Sequence, residues 1–184
     1  MAFIRTFFAV ELDSRTREIV AQAITILKNT PRGKNLPWVA AEKLHITVRF
    51  LGNIQTSQTL NLLLQMKKAL RTLPPFRIEL SAISLFPSAH KPRVVVVDIA
   101  YSQALQNLFA AVEQATIATG FPPELRPARP HITLAHLRNG QTPQFHLDLS
   151  PTHTSMLINE IVLLQSIPVQ HGTKYIPLDR IRFG

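Results

Sequence analysis

Two nearly identical tetrapeptides, HITV at residues 45–48 and HITL at 131–134, stand 86 residues apart in apolar surroundings, LHITVRFLG and PHITLAHLR. In an extended strand alternate side chains share a face. His45, Thr47 and Arg49 then share one face, with Ile46, Val48 and Phe50 opposite. In the second copy His131 and Thr133 share a face, and Ile132 and Leu134 pack behind them. Bringing the two polar faces together gives two imidazoles and two hydroxyls around one point. Imidazoles with pKa near 6.5 exchange general-acid and general-base roles at neutral pH. The hydroxyls can donate to the non-bridging oxygens of a phosphate as charge builds there. In-line phosphoryl transfer by such a pair needs no metal.

A lone H-x-T is weak, since about 0.6 such triplets arise by chance among seven histidines and the threonine content of this chain. A third, HGT at 171–173, sits in a glycine-containing turn before KYIPL and is read as incidental. A single histidine beside a threonine is more often a satisfied core residue than a catalyst. The twin copies, each inside an apolar strand, reverse that balance.

The elements that must carry these motifs recur in order. RTFFAVEL (5–12) reads as a strand. DSRTREIVAQAITILKN (13–29) reads as a helix capped by Asp13 or Ser14, with an apolar stripe of Ile19, Val20, Ala23, Ile24 and Leu27. KLHITVRFLG is a strand ended by Gly52, and 57–73 is a helix stopped by Pro74 and Pro75. FRIELSAISLF (76–86) and RVVVVDIA (93–100) form a hairpin-like pair. A helix over 102–120 stops at Gly120, FPPELRPARP is a loop, and HITLAHL is the matching strand. MLINEIVLLQSI (156–167) and TKYIPLDRIRF (173–183) supply the last two strands. Strand, helix and HIT strand thus occur twice. The expected fold is α+β and bilobal: two pseudo-symmetric antiparallel sheets face a central cleft with helices outside, as one domain over 1–184.

Composition limits the chemistry. The 184 residues are 46% hydrophobic and 17% charged, with room for a sizeable core. No apolar run reaches the roughly 18 residues that cross a bilayer. The opening MAFIRTFFAVELD resembles a signal segment only briefly, because Arg5 interrupts it and Glu11 and Asp13 close it. With no cysteine, disulfides and thiolate chemistry are excluded, and a cytoplasmic location and a monomer are expected. The net charge of +9 is spread along the chain and favours a polyanionic partner, nucleic acid above all.

The chain resembles the two-histidine (2H) phosphoesterase superfamily, and within it the LigT-like RNA 2′,3′-cyclic phosphodiesterases historically called 2′-5′ RNA ligases. The matching stretches are RTFFAVEL, WVAAEKLHITVRFLGNI, RPHITLAHL and GTKYIPL, spread in order over almost the whole chain. The resemblance implies a bilobal fold and hydrolysis of RNA 2′,3′-cyclic phosphate ends, tRNA fragments among them, to 2′-phosphates without metal or cofactor. Reversible 2′-5′ ligation belongs to the same expectation. It implies His45 as proton donor, His131 as proton acceptor, and Thr47 and Thr133 as phosphate binders.

One departure is His136, where family members often carry a basic residue; in a regular strand it points with Ile132 and Leu134, or lies past the strand end. Arg138 can take over that function, and Arg126 and Arg129 in the preceding loop are further substrate-binding candidates, with solvated loop charge as the plain alternative. Phe7, Phe8, Phe50, Trp38 and Tyr175 are the candidates for stacking on bases, with core packing the plainer reading for most. Phe50 faces away from His45 and is expected in the core, and Phe7 or Phe8 is the better candidate for the cleft. His90, His146 and His153 are assigned no role. Three rivals stand beside this reading. One is a 2H enzyme for a small cyclic nucleotide or ADP-ribose cyclic phosphate. Another is a non-catalytic RNA-binding module, and the third is a histidine metal site with Asp98 or Glu160 as neighbours.

Overall fold

Alternation between buried and open positions along the strands places the helices on one side of the sheet. The computed structural model describes residues 2–138, 141, 154–170 and 172–184. The strands are β1 (Phe3–Glu11), β2 (His45–Gln55), β3 (Phe76–Phe86), β4 (Val94–Ile99), β5 (His131–His136), β6 (Ser155–Ile158), β7 (Glu160–Val169) and β8 (Gly172–Arg182). The helices are α1 (Ser14–Lys28), α2 (Thr59–Leu70) and α3 (Gln103–Ala118). The strands form one curled sheet in the order β6-β3-β4-β5-β2-β1-β7-β8. All its pairings are antiparallel. Its two four-stranded halves meet at β5 and β2 through a single pair, Ile46 opposite Ile132. The repeated unit is β1-α1-β2 and β4-α3-β5, so the α+β fold with two related halves is as expected.

Each repeat helix starts on a side-chain cap. Asp13 accepts from the Thr16 amide at 2.7 Å, and Ser102 accepts from the Leu105 amide at 3.1 Å, which satisfies an otherwise orphaned donor. Their apolar stripes, Val20, Ala23, Ile24 and Leu27 on α1 and Leu105, Leu108 and Val112 on α3, join one large core with Phe8, Val10, Ile46, Val48, Val95, Val97, Ile132 and Leu134. A second, small cluster of Phe7, Ala9, Val162 and Leu164, flanked by Tyr175, lies on the opposite face of the sheet. That explains the four successive buried residues Ile161–Leu164 of β7: both faces of this inner strand are covered.

Three expectations about elements are corrected. Gly52 does not end its strand; it takes φ 72° inside β2, which runs on to Gln55. The run 156–167 is two strands, because Asn159 leaves the ladder, its carbonyl accepting from the Phe183 amide at 2.8 Å. β6 then pairs with β3, whereas β7 pairs with β1 and β8. An apolar run shows strand length and says nothing about a change of partner. The second helix is shorter than 57–73, beginning at Thr59 after a 3₁₀ turn over Thr56–Gln58. His171, His146 and His153 lie outside the described residues, while Thr173 belongs to β8.

Candidate active site

The seam between the halves brings the two motifs together. With Ile46 opposite Ile132 in an antiparallel pair, the register sets His45 against Thr133 and Thr47 against His131, all on one face. Cross-strand neighbours on a shared face are about 4.5–5.5 Å apart at Cβ. Continued by one residue in each direction, this pairing directs each histidine toward the other half's threonine. Ile46, Val48, Ile132 and Leu134 point the other way into the helix-side core.

Each HIT triplet is followed at once by a bulge. β1 pairs Ala9 with Thr47 but Phe8 with Arg49, so Val48 is the extra residue. β4 pairs Val96 with Thr133 but Val95 with Ala135, so Leu134 is the extra residue. A bulge puts two residues opposite one and reverses the alternation beyond it. Arg49 consequently leaves the face of His45 and pairs with Glu113 of α3 at 2.9 Å and with Glu124 at 3.3 Å. Phe50 swings onto the histidine face opposite Phe7, with ring centroids 5.6 Å apart and 59% of its surface exposed. It is not a core residue. His136 is turned in the same way, exposed opposite Val94 on the face of His131 and not with Ile132 and Leu134.

The histidines are held alike. His45 Nδ1 lies 2.7 Å from the Lys43 carbonyl and His131 Nδ1 lies 2.7 Å from the Arg129 carbonyl. A carbonyl only accepts, so each Nδ1 carries the proton and each Nε2 is the unprotonated nitrogen of the neutral ring. The cross-strand partner of His45 is Glu11 and that of His131 is Asp98. Each carboxylate is bound by an arginine: Arg180 to Glu11 at 2.6 Å, and Arg129 to both Asp98 oxygens at 3.1 Å. Arg180 also reaches Glu160 at 2.8 Å, and the two carboxylates raise its pKa. Aromatic rings brace each imidazole. Phe7 and Tyr175 lie 5.1 and 5.3 Å from His45, and Phe86 stacks 4.8 Å from His131.

Burial lowers the pKa of His45, and the nearby charge of His131 lowers it further; the Lys43 carbonyl and Glu11 act in the opposite direction. An NMR titration of the His45 ring should give a midpoint below 6.5. In the His131→Ala variant it should rise, because the neighbouring charge is gone. A midpoint at or above 6.5 in the unaltered protein contradicts this electrostatic picture.

The other sequence candidates separate. Phe8 is fully buried in the helix-side core and cannot meet substrate; truncating a phenylalanine so placed costs about 3–5 kcal/mol. Phe7 is on the site face but 3% exposed beneath His45, Phe50 and Tyr175, so it supports rings and offers no open stacking surface. Tyr175 is half-buried beside His45; burial raises its pKa, opposed by the charge of Arg5. Trp38 is packed against the core with its indole donating to the Gly33 carbonyl at 2.9 Å. Arg126 is exposed, 3.7 Å from Glu124, and Arg138 is exposed just past β5. Sequence reasoning missed Phe86, whose contact with His131 spans 45 positions, and also missed Arg5. Arg5 was readable, because it precedes Phe7 by two residues and so shares its face. A cavity of about 460 Å³, walled by Tyr101, Leu105 and Phe109, opens beside Asp98 and Arg129 and not between the histidines. Among the described residues no group of three or more His, Cys, Asp or Glu is placed to hold a metal ion, and no helix is long and apolar enough to cross a membrane.

Comparison with known proteins gives a consistent picture. The family described as LigT like Phosphoesterase matches residues 10–96 and 97–171. A Bacillus subtilis protein named RNA 2′,3′-cyclic phosphodiesterase is 30% identical over 149 residues, covering 80% of this chain and 81% of its own. An Archaeoglobus fulgidus protein of the same name is 27% identical over 177 residues, 94% and 96% of the two chains. Among solved structures, a Thermus thermophilus protein superposes with TM-score 0.85 at 23% identity over 98% of both chains. E. coli LigT does so with TM-score 0.80 at 24% identity over 100% of this chain and 99% of that one.

Proposed function

Since this chain belongs to the LigT-like phosphoesterase family, a two-histidine phosphoesterase, we propose that it hydrolyses RNA 2′,3′-cyclic phosphate ends to 2′-phosphates by metal-independent acid–base catalysis. The observation that carries the reading is the matched pair of imidazoles. Each has Nδ1 tied to a carbonyl at 2.7 Å, and the register sets each against the opposite threonine. The relatives' name supplies the substrate class. E. coli LigT, which shares this fold, has been solved complexed with 3′-AMP and with phosphate, which supports a phosphate-bearing substrate.

In the proposed step water attacks phosphorus in line with the 3′ oxygen. The new P–O bond forms as the P–O3′ bond breaks. His131 Nε2 takes the water proton, His45 Nε2 gives one to the departing 3′ oxygen, and the 2′ ester remains. Thr47 and Thr133 donate to the two non-bridging oxygens. The lowered pKa of His45 makes its proton easier to give but leaves less of it protonated in the free protein. A bound phosphate anion favours the imidazolium and restores the acid form. Phe50, exposed against the Phe7 ring that braces this histidine, offers a stacking face for a base. With a 5′-hydroxyl in place of water, the same proton transfers would form its P–O bond as the P–O3′ bond breaks, leaving a 2′–5′ linkage.

Only RNA forms this cyclic phosphate, because its 2′-hydroxyl closes the ring. An oligoribonucleotide with a cyclic end should therefore be opened, and 3′-phosphorylated DNA left unchanged. Affinity should fall as salt rises, through displacement of counterions from backbone phosphates. Turnover confined to free cyclic mononucleotides, with salt-independent binding, would instead place the activity on small molecules.

A further inference from the structure

The two histidines have the same set of supports, but the supports are distributed differently. At His45 three separate elements supply them. Lys43 gives the carbonyl, Arg180 of β8 holds the opposing carboxylate Glu11, and Phe7 and Tyr175 brace the ring. At His131 all three pass through one residue. The Arg129 carbonyl accepts from His131 Nδ1 at 2.7 Å. Its Nη2 donates to both oxygens of Asp98 at 3.1 Å and to Ser84 Oγ at 3.2 Å. Its guanidinium carbon lies 5.3 Å from the centre of the Phe86 ring, which stacks on His131.

We infer that Arg129 is the positioning residue for His131, fixing the imidazole through its own carbonyl, through Asp98 and through Phe86. The two hydrogens of Nη2 are shared among three acceptors, which commits this nitrogen to Asp98 and Ser84. The ion pair is partly exposed, with 44% of the arginine side chain accessible. Exposed pairs of this kind contribute little to stability, so its consequence lies in geometry. Misplacement of a catalytic group by about 1 Å can cost on the order of 10²-fold in rate. Pro130, between Arg129 and His131, restricts the backbone and transmits the arginine's position to the histidine.

This inference rests on His131 being catalytic, so Arg129→Ala and His131→Ala are measured side by side on a cyclic-ended oligoribonucleotide. Arg129→Ala should lower kcat on the order of 10–100-fold while KM and the salt dependence of binding hold. Without substrate, the NMR signal of the His131 ring should shift as Phe86 loses its hold. Asp98→Asn keeps the side-chain shape and carries the same test at smaller amplitude, should Arg129→Ala fold poorly. A raised KM with unchanged kcat, and a salt slope reduced by about one, would make Arg129 a phosphate contact and overturn the inference. An Arg129→Ala enzyme identical to the parent, with the His131 signal in place, overturns it as well. If His131→Ala is itself fully active, the reading of the site fails first.

Discussion

Alanine at His45 or at His131 should each reduce turnover of a cyclic-ended RNA by at least about 10²-fold, the usual contribution of a positioned acid or base. Neither change should unfold the chain, because both side chains are only partly buried and the adjacent core residues Ile46 and Ile132 are untouched. Circular dichroism and a thermal melt check this. The pH–rate profile of the parent should be bell-shaped. The effects of the two variants should not add, since either loss removes the concerted proton transfer. Roles within the pair can be separated with a 3′-thio substrate, whose leaving group needs no proton. It should rescue His45→Ala far more than His131→Ala. Preferential rescue of His131→Ala would exchange the two roles. Full activity of either variant on the natural linkage would end the two-histidine mechanism.

The second large effect concerns the threonines. Thr47→Val and Thr133→Val remove one hydroxyl donor each at nearly constant shape. If each donates to a non-bridging oxygen as charge develops, each change should cost on the order of 10–10³-fold in kcat. The loss should fall on kcat more than on KM, because the interaction strengthens in the transition state. The symmetric register, His45 against Thr133 and His131 against Thr47, predicts losses of similar size. Kinetics of the two valine variants measure this directly. A change confined to KM in both would reassign the hydroxyls to ground-state binding.

Much of this arrangement is legible from the chain. The doubled HIT strands, the cap at Asp13 and the apolar stripe of α1 follow from local periodicity and residue chemistry. What escaped is a matter of backbone register. A bulge at Val48 or Leu134 inserts one residue into a ladder and leaves no mark in residue type. Strict alternation then puts Arg49, Phe50 and His136 on the wrong faces, although it is right for every residue before the bulge. Gly52 does carry a signal, but the same residue suits a strand end and a positive φ within a strand. Phe8 and Phe7 are adjacent and chemically identical, so only pairing with β2 and β7 shows which one enters the helix-side core. The roles of Asp98 and Phe86 depend on β3, β4 and β5 lying side by side, which no local pattern encodes.

The most direct measurement uses an oligoribonucleotide ending in a 2′,3′-cyclic phosphate, incubated with the protein in excess EDTA, with the product identified by its terminal phosphate. The predicted result is a 2′-phosphate formed at the same rate with and without the chelator. A 3′-phosphate, no turnover, or turnover abolished by EDTA and restored by a divalent metal would contradict metal-independent opening by His45 and His131.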